Sequence, residues 1–128
     1  MGQASTPDAA MIKRILVVED DPMIRLAASS VLEEAGFEVF DAADGEEGLV
    51  ILRENPSIDL VFTDISMPHM DGLTMLIQAR ELRPNLKALL TSGLSQAPLD
   101  EAFIRKPYRA AAAKEMIVQM LGHQLCGR

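Results

Sequence analysis

Four short apolar runs in this chain of 128 residues each end in side chains that can handle a phosphoryl group or a divalent cation. Ile15–Val18 runs into Glu19, Asp20 and Asp21. Leu60–Thr63 runs into Asp64, Ala88–Leu90 into Thr91 and Ser92, and Ala102–Ile104 into Arg105 and Lys106. If the runs are parallel strands, their carboxyl ends share one edge of a sheet, which is where open α/β sheets hold their ligands. Carboxylates, a hydroxyl and an amine in one crevice suit magnesium-dependent phosphoryl chemistry. Glu19, Asp20 and Asp64 close together would repel, and a hard cation that prefers oxygen ligands and keeps some of its waters relieves that repulsion. The expected ligands are Asp20, Asp64 and the backbone carbonyl of Ser66, with Glu19 acting through water. Asp64 is then the nucleophile, because carboxylates attack phosphorus to form acyl phosphates. The metal, the Lys106 ammonium and the Thr91 hydroxyl would share the charge of the transferred group.

The elements that must position these groups are readable in outline. Lys13–Val18 reads as a strand buried on both faces. Asp21-Pro22 is a helix cap followed by proline at the first helical position. Ile24, Ala28, Val31, Leu32 and Ala35 then repeat at helical spacing up to Gly36. Phe37–Ala42 is expected as the second strand. Asp44-Gly45 opens a second helix with Glu46 and Glu47 in its first turn, and Leu49, Val50 and Leu52 on its apolar side. Asp59–Thr63 is expected as the third strand. After the loop Ser66–Gly72, residues Leu73, Leu76, Ile77, Ala79 and Leu82 mark a third helix ended by Pro84. Lys87–Leu90 and Ala102–Arg105 are the fourth and fifth strands, and a last helix runs from Arg109 to about Leu121, with Ile117, Met120 and Leu121 toward the core. Strands and helices alternate, which implies right-handed βαβ units. The expected fold is therefore an α/β, flavodoxin-like three-layer sandwich whose five-stranded parallel sheet has the order 2-1-3-4-5. One segment breaks the alternation: Ser92–Glu101 is too short for a full connecting helix, so the helix there is expected to be shortened or missing. Residues 1–12 read as a flexible lead, 13–122 as one domain and 123–128 as a tail.

Composition narrows the class. About half of the residues are apolar and 24% are charged, which fits a globular chain with a real core. The net charge of -7 argues against generic nucleic-acid binding. The one cysteine, Cys126, cannot form an internal disulfide, which points to a reducing, cytoplasmic setting. No run approaches the ~20 apolar residues of a membrane span. Met1-Gly2-Gln3-Ala4-Ser5-Thr6 formally fits the loose N-myristoylation pattern but reads as a solvated leader. His69 and His123 with one thiol make no zinc set.

The matching pieces, in order, are Ile15-Leu16-Val17-Val18-Glu19-Asp20-Asp21, then Asp64 with Met67-Pro68 and Met70-Asp71-Gly72, then Thr91-Ser92-Gly93, then Lys106-Pro107-Tyr108. On these the chain resembles the receiver domain of two-component response regulators, of the chemotaxis-regulator type. The resemblance implies that Asp64 accepts a phosphoryl group from a kinase phosphohistidine with Mg2+, that Lys106 pairs with that group, and that Thr91 is the switch hydroxyl. It also implies a cis Lys106-Pro107 peptide. Three departures stand out: Glu19 where aspartate is usual, the short segment from Thr91 to Lys106, and Phe103 where a switch aromatic is expected, without a hydroxyl. Family members signal or dimerise through the helix before the fifth strand, that strand and the last helix, so the output face and a homodimer stay open.

The expectation is a single-domain response regulator that catalyses only its own phosphorylation and dephosphorylation and acts on no other substrate. Its donor would be a sensor histidine kinase or a phosphotransfer protein. Its output would be a changed surface for an unidentified protein target, with no direct nucleic-acid contact and no membrane insertion. Alternatives are a phosphorylation-independent interaction module and a phosphorelay intermediate. A nucleotide-binding protein of the same fold is disfavoured because no glycine-rich loop follows the first strand. Asp21 and Asp71 read as helix caps, His69 as an exposed loop residue, and Met67, Met70, Met75, Met116 and Met120 as packing.

Overall fold

The computed structural model describes residues 12–93 and 100–122. Its elements run β1 (Arg14–Val18), α1 (Pro22–Glu34), β2 (Glu38–Ala42), α2 (Gly45–Glu54), β3 (Leu60–Asp64), α3 (Gly72–Leu82), β4 (Lys87–Ser92), β5 (Ala102–Arg105) and α4 (Ala110–Leu121). The five strands form one parallel sheet in the order β2-β1-β3-β4-β5. The expected topology is the observed one.

The continuous apolar strands divide their side chains by simple alternation. Leu16, Val18, Val61, Ala88 and Leu90 face α2 and α3, packing on Leu49, Leu52, Met75, Leu76 and Ala79. Ile15, Val17, Leu60, Phe62 and Leu89 face α1 and α4, packing on Ala28, Leu32, Ala113 and Ile117. Caps fix where the helices begin. Asp21 Oδ1 accepts from Met23 N at 2.9 Å, with Pro22 behind it. Asp44 accepts from Glu47 N and Asp71 from Thr74 N, at 2.9 and 2.7 Å.

Several expectations shift. β3 begins at Leu60 and includes Asp64, whereas Asp59 lies before it and accepts Arg14 N at 2.8 Å. β4 extends through Ser92 because strands on both sides pair with its end, Asp64 with Thr91 and Ser92 with Arg105. Val50, Ile77 and Leu82, read as core, are exposed, whereas Met75 is fully buried. Apolar residues surround α3, so helical spacing alone does not choose its inner face. Between β4 and β5, Gly93, Asp100 and Glu101 are not helical. The rest of the segment expected to hold a shortened or missing helix lies outside the described residues, as do residues 1–11 and 123–128. Arg80 of α3 grips Glu101 just before β5 through two bonds, of 2.5 and 3.3 Å.

Candidate functional site

The ends of β1, β3 and β5 converge at the carboxyl edge. Glu19 follows β1 and is held from several sides. Its N–H donates to Ala42 O at 3.0 Å, and its Oε2 accepts Asp21 N at 3.0 Å. It is buried, whereas Asp20, next along, is exposed. Asp21 spends its carboxylate on the α1 cap, as expected. Asp64, the last residue of β3, is buried, and its Oδ1 accepts Ser66 N at 3.1 Å. Lys106 follows β5 directly and is joined to Pro107 by a cis bond, and its backbone N–H donates to Ser92 O at 2.9 Å. From there Nζ reaches Asp64 Oδ2 at 2.7 Å and Glu19 Oε1 at 2.9 Å. The second approach is an ion pair rather than an aligned hydrogen bond, and Oε1 has no other donor among the described residues.

Burial pushes Glu19 above the usual carboxylate range, against the pull of the Lys106 ammonium and the Asp21 N–H. Burial alone would lower Lys106, but its bonds to Asp64 and Glu19 outweigh this and hold the ammonium above its ordinary value. One carboxylate oxygen each from Glu19, Asp20 and Asp64 lies within 4.8 Å of the others. That donor set fits a hard divalent cation, and the exposure of Asp20 leaves room for waters on the open side. Ser66 is exposed in the loop after β3.

The two hydroxyls at the end of β4 point opposite ways. Thr91 is the register partner of Asp64 and follows Leu89, so it lies on the α1 and α4 face with Asp64. Its Oγ1 is buried and has no hydrogen-bond partner among the described residues. Ser92, also buried, follows Leu90 and shares the α2 and α3 face, where Phe103 packs half-buried against that core. Thr91, expected to be the switch hydroxyl, is thus on Asp64's face but not on that of Phe103. The sequence places Ser92 beside Thr91 at the end of its run but gives it no role of its own. Its signal is period-two alternation, which becomes usable once β4 is known to run to residue 92.

The loop between β3 and α3 is tied down hard. Gly72 N donates to Ile65 O at 2.8 Å, and a Cβ on Gly72 would run into the Asp64 carbonyl oxygen. Asp71-Gly72, read as a helix start, therefore also fixes the close approach of α3 to Asp64. Met67 and Met70 pack on the core below, and His69 is exposed at a positive φ of 71°. Two further residues escaped the sequence reading as site neighbours. Arg25 donates to the carbonyl of Glu19 at 2.6 Å. Tyr108 lies with Ile24, Lys106 and Pro107 around an apolar cavity of about 370 Å³ and tilts against Phe62, with ring centres 5.4 Å apart. Burial, with the negative charge of Glu19 behind it, pushes the Tyr108 phenol up to about 12.

Residues 15–121 match the family model of the response regulator receiver domain. The receiver protein CpdR of Brucella abortus is 35% identical over 86% of this chain and 98% of its own length. The sensor kinase CckA of the same organism is 32% identical over 86% of this chain, which spans 13% of that kinase. Among solved structures, the receiver domain of the hybrid histidine kinase CckA is 38% identical, with a TM-score of 0.77 over 84% of this chain and 98% of that one. The response regulator TrrA of Thermotoga maritima, solved in complex with Mg(2+)-BeF, is 31% identical, with a TM-score of 0.76 over 85% of this chain and 99% of that one.

Proposed function

The chain belongs to the response regulator receiver family, and on that premise we propose that it accepts a phosphoryl group on Asp64 and signals through the surface that changes as a result. The observation that carries this reading is the 2.7 Å approach of Lys106 Nζ to Asp64 Oδ2 beside three clustered carboxylates. An Asp64 oxygen attacks the phosphorus of a phosphohistidine. The O–P bond forms, the P–N bond breaks, and its electron pair returns to the imidazole. Little covalent machinery is needed, because positioning and charge stabilisation supply most of the catalysis. Lys106 holds positive charge where the equatorial oxygens gather negative charge, and the Thr91 hydroxyl, buried without a partner on Asp64's face, supplies a donor.

Glu19, Asp20, Asp64 and the Ser66 carbonyl are the proposed holders of Mg2+, with Glu19 in the outer position. Bound there, Mg2+ supplies neutralisation of the carboxylates and a positive contact for a phosphoryl oxygen. The structure of TrrA with Mg(2+)-BeF supports this assignment by likeness.

The acyl phosphate carries about -1.5 to -2 charges in place of the single charge of the carboxylate and shifts the population between two states. Ser92, on the face of Phe103, favours a second reading of the switch: Thr91 serves the acceptor, and Ser92 relays the change to the aromatic. A sensor kinase or phosphotransfer protein is the proposed donor, in the cytoplasm, with 13–122 as the working unit. Likeness to the CckA receiver keeps relay to another histidine as an alternative output. Among the described residues, no helix is long and apolar enough to cross a membrane.

The test is incubation with acetyl phosphate and Mg2+, followed by intact mass. A one-phosphate gain that Asp64→Asn abolishes is the expected result. No gain with several small donors and with candidate kinases would instead favour a phosphorylation-independent interaction module.

A further inference from the structure

We infer that Arg25 is a positioning residue for the metal-binding carboxylates: its guanidinium clamps the peptide that joins Glu19 to Asp20. The inference rests on the magnesium reading above. Arg25 lies in the first turns of α1, with its N–H on Asp21 O at 2.9 Å, so the helix that Asp21 caps also carries the clamp. Nη1 donates to Glu19 O at 2.6 Å, a short, charge-assisted bond, and the side chain is 22% exposed. Nε stands 3.8 Å from Asp41 Oδ2, at the end of the neighbouring strand β2.

The rest of Glu19 is already committed. Its N–H is on Ala42 O, Oε2 is on Asp21 N, and Oε1 is against Lys106. The carbonyl is its last polar group, and Arg25 takes it. With both ends of residue 19 fixed, the direction in which the chain presents Asp20 is fixed as well. Asp20 needs that support more than its neighbours do. It is the exposed member of the trio, whereas Glu19 and Asp64 are buried. A carboxylate on a loosely held loop would have to be ordered by the cation itself, at a cost in affinity.

The sign of the effect separates positioning from simple charge. A cation bonded to the Glu19 carbonyl opposes a Mg2+ ion held nearby, so deleting Arg25 for charge reasons alone would tighten binding. Positioning predicts the opposite. Asp41 is the contrast: its side chain is 55% exposed, and an exposed ion pair at 3.8 Å orders little.

The experiment is a Mg2+ titration of the full chain, followed by backbone amide shifts, which also show that each variant is folded. Arg25→Ala is expected to weaken Mg2+ about fivefold to twentyfold. Arg25→Gln, which keeps a donor without the charge, should recover part of the loss, and Asp41→Asn should stay within about twofold of the parent. If Arg25→Ala does not hold its fold, Arg25→Gln and Arg25→Lys decide, both weaker than the parent. Affinity that is unchanged or tighter in the folded variants overturns the inference. A parent chain that shows no saturable Mg2+ response overturns the magnesium reading itself.

Discussion

The sheet carries a partly buried cation near each edge, and the two live in different surroundings. At the carboxyl edge Lys106 faces two carboxylates. At the amino edge Arg83, just past α3, donates to the carbonyls of Pro56, Ile58, Leu52 and Asn55, at 2.9, 2.6, 3.1 and 3.4 Å. Those carbonyls belong to the end of α2 and the turn after it, where a helix leaves acceptors unpaired. Neutral carbonyls do not replace lost hydration as a counter-charge does, so burial lowers Arg83 from its ordinary value, with Asp59 pulling the other way. Lys106, paired with acids, moves up instead. Arg83 uses the fork of its guanidinium to close off a scaffold. Lys106 is a compact charge whose carboxylate partners retain capacity for something else. Similar burial of charge thus accompanies the proposed site at one edge and architecture at the other.

The sharpest way to break this contrast is to delete both cations in separate chains. Lys106→Ala should slow phosphorylation by acetyl phosphate about 10²–10³-fold, the range for losing one charge-stabilising group, with the loss read from the time course of intact mass. Arg83→Ala should leave that rate within about threefold but cost roughly 1–3 kcal/mol in denaturant unfolding, the penalty for stranding buried acceptors. A stable but inactive Arg83 variant would erase the distinction.

A finer cut lies within the carboxyl edge. Thr91→Val should lower the phosphorylation rate roughly tenfold, as expected for a donor to the transferred group. Ser92→Ala should phosphorylate within about threefold of the parent but lose most of the phosphorylation-dependent shift of a fluorine-labelled Phe103. If Ser92→Ala keeps the full shift and Thr91→Val loses it, one hydroxyl does both jobs.

The smallest effect concerns Tyr108, the one tyrosine in the chain. Its phenol should titrate near 12 in the folded protein, against 10.0 ordinarily. Ultraviolet absorbance of the phenolate, with and without denaturant, measures both. A group whose pKa is raised on folding stabilises the fold below the unfolded value, so this contribution is whole below pH 10 and fades as pH climbs through 12. Equal midpoints in both states would remove Tyr108 from the buried edge.

Much of this was legible before any coordinates. Acids after the first and third runs and the lysine after the fifth are separated by long stretches of sequence, yet alternation of strands and helices brings Asp64 and Lys106 to 2.7 Å. Alternation implies right-handed parallel units, and 2-1-3-4-5 is a common doubly wound order for five strands, which is why the topology was readable. Less readable was anything decided by a one-residue step. Thr91 and Ser92 are chemically similar, and only the observed end of β4 tells which faces Phe103. Ile77 and Leu82 fit helical spacing yet lie outside, because α3 carries more apolar residues than its inner face can take. Arg25 and Arg83 gave no signal at all: their partners are backbone carbonyls, which every residue has.

Gly72 has a mechanical consequence. Where α3 begins, its backbone abuts that of Asp64, with no space for even a methyl group between them. A rod butted against the acceptor in this way cannot be shifted independently of it. Its 11 residues, at about 1.5 Å each, make a lever of roughly 16 Å. Arg80, near the far end, holds the residue that leads into β5. One straight element thereby joins the backbone of Asp64 to the residue that leads into β5, at the opposite rim of the sheet.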